Sequence, residues 1–75
     1  MTRFFFDYRA SDQALYDYGG QEFGSVRSAE EFAEMIVLDL SYSLTTDWSG
    51  WSVEVRNAEG RRLLSLPVES SLRAA

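Results

Sequence analysis

One segment of this chain has the periodicity of a helix, and the segments on either side of it alternate. Ser28-Ala29-Glu30-Glu31 reads as a capping box. In that motif the Ser28 hydroxyl accepts from the amide of Glu31, and the Glu31 side chain returns to the amide of Ser28. Glu30, Glu31 and Glu34 crowd the positive end of the helix dipole. The spacing predicts a helix from Ala29 to about Leu44, with Ala29, Phe32, Ala33, Ile36, Val37, Leu40 and Leu44 on one wide apolar face.

Before the helix, residues 3–8 (Arg-Phe-Phe-Phe-Asp-Tyr) and 14–18 (Ala-Leu-Tyr-Asp-Tyr) read as a β-hairpin across a polar turn. Phe4, Phe6 and Tyr8 then point one way, and Arg3, Phe5 and Asp7 the other. Gly19-Gly20 ends the second strand. The connector 19–27 carries the apolar anchors Phe23 and Val26, with room for a very short strand. After the helix, residues 45–50 form a loop, and 51–56 alternate with Trp51, Val53 and Val55 inward. Asn57-Ala58-Glu59-Gly60 has the form of a type I turn followed by a glycine with positive φ. Residues 61–68 return with Leu64, Leu66 and Val68 inward, and Pro67 puts that strand at the sheet edge. The expected fold class is α+β with element order β-β-α-β-β: a four-stranded, mainly antiparallel sheet with one helix on one face. It occupies residues 1–68 as one domain, and 69–75 are expected to be a frayed tail.

A chain of 75 residues has little core, and disulfides, metals or oligomers usually help one of this size. There is no cysteine and no histidine. Disulfides and thiolate metal sites are therefore ruled out, and the commonest general base is missing. Self-association is the aid still open. The net charge of −5, with seven arginines and no lysine, makes a nucleic acid a poor partner. No stretch has the length of a membrane span or of a signal-peptide core, so the expected location is cytoplasmic.

The opening Arg3-Phe4-Phe5-Phe6-Asp7-Tyr8 resembles the Tyr/Phe-Phe-Phe-Asp start of a family of short bacterial proteins described as a domain of unknown function. The resemblance continues through Asp17-Tyr18-Gly19-Gly20-Gln21-Glu22, the Ala/Glu-rich helix and Val55-Arg56-Asn57-Ala58-Glu59-Gly60-Arg61, where Asn57 replaces the more usual Asp. It runs from residue 3 to about 66, implies the same fold and brings no activity with it. A fainter similarity, at the level of fold, is to HicB-like antitoxin domains.

No catalytic, cofactor-binding or metal-binding residue is expected, and the chain is read as no enzyme. Asp7 and Asp17 approach across the first hairpin, but two carboxylates hold a hard cation poorly. They are expected to be solvated and paired with Arg3 or Arg9. Arg56, Arg61 and Arg62 near Trp48 and Trp51 suggest a phosphate or base contact, diluted by Glu54 and Glu59. The stronger signal is excess apolar surface. Met35, Leu38 and Tyr42 form a second helix stripe, and Phe5, Leu15 and Leu63 fall on the sheet face away from the helix if the alternation holds. These six are the candidate interface of an interaction or structural module, expected to be a homodimer. The alternatives are an antitoxin-like or regulatory domain that binds a protein target and, more weakly, nucleic-acid binding through the arginine hairpin. The competing account folds residues 45–50 or 69–75 over one patch, with Trp48 as the cover.

Overall fold

The computed structural model describes residues 1–69, so the expectation of a frayed tail lies outside the described residues except at Glu69. The elements in chain order are β1 (Thr2–Arg9), β2 (Ala14–Leu15), β3 (Gln21–Phe23), α1 (Val26–Ser41), β4 (Ser52–Asn57) and β5 (Arg62–Pro67). All strand pairings are antiparallel, in the order β2-β1-β4-β5, with β3 also on β1. The sheet thus has five strands, and the connector expected to have room for a short strand contains one.

β2 and β3 lie end to end along the same side of β1. Tyr8 and Arg9 pair with Leu15 and Ala14, while Thr2, Arg3 and Phe4 pair with Phe23, Glu22 and Gln21. Between them, residues 16–20 leave the ladder. The expected strand 14–18 therefore stops at Leu15.

α1 lies on the face that carries Phe4, Phe6, Val53 and Val55, all buried. Ala29 and Ala33, with no exposed surface, let the helix come close to the sheet. Four aromatic rings close one end of this core: Phe6 meets Phe23 and Phe32 at centroid distances of 5.7 and 5.1 Å, and Phe4 meets Phe23 at 6.2 Å. Tyr8, Trp48 and Trp51 stack edge-on at the other. Trp48 thus joins the core margin beside Tyr8, and Met35, Leu38 and Tyr42 stay exposed.

The helix starts one turn earlier than its sequence pattern predicts. Ser25, extended at φ −157°, is the N-cap, and its hydroxyl accepts from the amide of Ser28. β3 ends at Phe23, so the chain turns at Gly24-Ser25 and Ser25 is the first side chain able to cap. Glu31 is then too far along to complete a box; it pairs with Arg27 instead, at 3.5 Å. The helix also ends earlier. Tyr42 leaves helical geometry at ψ 9°, and the Ser41 hydroxyl donates to the Val37 carbonyl. Leu44, expected on the core face, lies beyond the end of the helix and is exposed, as is the expected anchor Val26.

The second hairpin follows its sequence closely. The Gly60 amide donates to the Asn57 carbonyl, and Gly60 has φ +86°. The Asn57 side-chain oxygen accepts from the amides of Glu59 and Arg61. β5 is the edge strand and ends at Pro67. Among the described residues no helix is long and apolar enough to cross a membrane.

Candidate functional site

The sheet face away from α1 holds most of the chain's paired charge. Register sets Asp7 of β1 directly opposite Glu54 of β4, and only 3% and 6% of these residues are exposed. Two like charges face to face are unfavourable. Arginines two residues along each strand resolve the conflict diagonally. Arg56 on β4 donates from Nε and Nη2 to Asp7, at 2.9 and 3.2 Å. Arg9 on β1 donates to one oxygen of Glu54 at 3.1 Å, and Arg62 of β5 to the other at 3.0 Å. Burial pushes the Asp7 carboxyl up. The hydrogen bonds from Arg56 and the Asp17 amide, with the charges of Arg56 and Arg9, more than offset this and hold it below the usual carboxylate range.

Residues 16–20 complete this cluster. The Asp17 amide donates to Asp7, and its carbonyl accepts from Arg56 Nη2 at 3.1 Å. Its carboxylate accepts from the amides of Phe6, Gly19 and Gly20. The Phe6 amide, which faces the gap between β2 and β3, is thereby satisfied by a side chain. Gly20 has φ +69°, and a Cβ there would meet the Phe5 ring at 2.8 Å, Arg3 Cγ at 2.9 Å and the Phe4 carbonyl oxygen at 2.9 Å.

The expectation of a solvated Asp7–Asp17 pair held by Arg3 or Arg9 is therefore corrected: Asp7 is buried and held by Arg56. Alternation along β1 places Asp7 on the outer face but cannot say what covers it. The available signal was an acid opposite an acid, with an arginine two positions along each strand. Among the described residues no buried side-chain oxygen or nitrogen lacks a hydrogen-bond partner, and no three acidic side chains converge as metal ligands.

The expected outer-face apolar patch does not assemble. Phe5 is on that face, but the Arg56 guanidinium lies 4.7 Å over its ring and Gly20 packs against it. Leu15 stands opposite Tyr8 and so belongs to the helix side of the sheet. Leu63 sits in the irregularity between the Val55–Leu64 and Arg56–Arg62 pairs. The arginine hairpin is also dispersed. Arg56 and Arg62 are held by Asp7 and Glu54, and no hydrogen bond or ion pair holds the Arg61 side chain among the described residues.

The helix stripe does assemble. Met35, Leu38 and Tyr42 are 64%, 54% and 68% exposed, on the side of α1 away from Ala29 and Ala33. Its neighbours are acidic. Glu31 and Asp39 stand four residues either side of Met35, and Glu34 stands four before Leu38. Arg27 is the helix's one basic residue and already pairs with Glu31.

The fold and its surfaces define a small α+β domain: one helix on an antiparallel sheet, with an internally paired charge cluster on one side and an acid-rimmed apolar row on the other. The family described as Domain of unknown function (DUF6894) matches residues 3–69, and the chain belongs to it. No curated protein and no solved structure matches the chain. Three of the motifs that carry the family resemblance, all but the helix, meet in one place: Asp7, Asp17, Gly20 and Arg56 all belong to the charge cluster or pack against it.

Proposed function

We propose that this domain is a non-enzymatic protein-interaction module that docks through the outward face of α1. The observation that carries the reading is the exposed row Met35, Leu38 and Tyr42, three large apolar side chains at helical spacing that no other described residue buries. The sheet supports it by offering little else. Its two buried acids, Asp7 and Glu54, are each held by arginine. Both edges are blunted: one is broken at residues 16–20, and the other ends in Pro67. Binding of nucleic acid through the hairpin loses support because Asp7 and Glu54 hold two of its three arginines. The cytoplasm is the setting that suits a chain without cysteine.

Two modes fit such a row: a second copy of the chain, or a separate protein target as for an antitoxin-like or regulatory domain. The test is the mass in solution across a dilution series, for the native chain and for Leu38→Glu. A dimer that Leu38→Glu dissolves, with the circular dichroism unchanged, supports docking through the row between copies. A monomer throughout removes the homodimer and leaves a separate target. A dimer indifferent to Leu38→Glu sinks the assignment of the row as the surface of self-association.

A further inference from the structure

The charges around the row bear on what it binds. Glu31, Glu34 and Asp39 are the helical neighbours of Met35 and Leu38, and among the described residues neither Glu34 nor Asp39 is in an ion pair of the kind that holds the sheet's acids. Asp39 is the more telling of the two. It lies in the last turn of α1, at the negative end of the helix dipole, where a carboxylate is unfavourable and where no basic residue offsets it. A local rule broken without an internal gain is what a binding surface leaves behind in the free protein.

These charges sort the candidate occupants. Two-fold pairing of the row with itself brings each copy's Glu31, Glu34 and Asp39 against the other's, with Arg27 as the helix's one basic residue on each side. Anionic lipid headgroups and phosphate backbones are repelled for the same reason. A protein segment with apolar residues on one side and lysine or arginine beside them meets both the row and its rim. The geometry points to a basic amphipathic helix of a different protein as the partner, laid along α1 with its apolar side on Met35, Leu38 and Tyr42 and its cations against Glu31, Glu34 and Asp39. This rests on the reading of the row as the docking surface and adds the chemistry of the partner.

The experiment is an amide-shift titration of the ¹⁵N-labelled full chain with two synthetic peptides of about four helical turns. Both carry leucine at i, i+3 and i+7; one has lysines beside them and the other glutamates. The lysine peptide is expected to shift the amides of residues 35–42. Its affinity should fall about tenfold in the triple variant Glu31→Gln, Glu34→Gln, Asp39→Asn. It should also fall several-fold between about 0.05 and 0.5 M salt. Equal response to both peptides, or concentration-dependent shifts of residues 35–42 with no peptide at all, overturns the basic partner but keeps the row as a docking surface. No response to either peptide, or lysine-peptide binding that Leu38→Ser leaves unchanged, overturns the row itself and the proposed function with it.

Discussion

The two outward faces of this molecule carry similar residue types to opposite ends. On the sheet, acids and arginines stand close together and nearly every charge has a partner inside the chain. On the helix, acids stand beside apolar side chains and most have no ion-pair partner among the described residues. The sheet's charges are therefore structural: they fix the register of β1 against β4 and hold residues 16–20 over the gap between β2 and β3. Beyond the exposed Arg27–Glu31 pair, no ion pair among the described residues ties the helix's acids to the fold. Substitutions on the first face should cost stability, and those on the second should cost binding.

The largest expected effect is at Arg56. Arg56→Met leaves the Asp7 carboxylate buried with its main partner gone, and should cost about 3 kcal/mol, the low end for a broken buried pair because Arg56 is itself partly exposed. Urea unfolding with an unchanged slope measures it. The pH dependence checks the cause. In the folded chain Asp7 is held below its ordinary value of 3.8, so its contribution is present above about pH 4 and is lost as the pH falls through the lower folded value. In Arg56→Met, burial raises Asp7 instead, and protonation relieves the unpaired charge. The stability gap between the two proteins should therefore narrow in acid. A gap that stays constant down to pH 3 would place the cost elsewhere.

Gly20→Ala comes next. The new methyl meets the Phe5 ring and the Phe4 carbonyl oxygen at under 3 Å, on a backbone at φ +69°. Left-handed strain and overpacking together should cost about 2 kcal/mol. Gly60→Ala is the internal control. Its φ is +86° but nothing lies within 4 Å of the added Cβ, so it should cost only the strain, about 1 kcal/mol. Equal losses at the two glycines would mean that the close packing of residues 16–20 on Phe5 contributes nothing.

The N-cap separates what the sequence announces from what the fold selects. Ser25→Ala should cost about 1 kcal/mol, and Ser28→Ala less, because Ser25 accepts the amide hydrogen bond. Ser28-Ala29-Glu30-Glu31 has the better capping pattern, yet it loses to the turn that follows β3. Alternation and turn chemistry made β1, β4, β5 and the Asn57–Gly60 turn legible, because each depends on its own residues. The end-to-end arrangement of β2 and β3 depends on a contact eleven residues away, between the Asp17 carboxylate and the Phe6 amide, and local pattern holds no trace of it. The same limit applies to the surfaces. Met35, Leu38 and Tyr42 could be placed from helical spacing alone. Phe5, Leu15 and Leu63 needed the register of three strands, and the register separates them.

The smallest expected effect is the one that tests the helix face directly. Asp39→Asn removes a negative charge from the C-terminal turn of α1 and should raise stability by a few tenths of a kcal/mol, seen as a small upward shift in Tm. The same change should weaken the lysine peptide. A substitution that stabilises the fold while loosening binding is what distinguishes a charge kept for a partner from a charge kept for the fold. If Asp39→Asn lowers stability instead, its carboxylate is engaged within the chain, and the contrast between a paired sheet face and an unpaired helix face fails at its most exposed point.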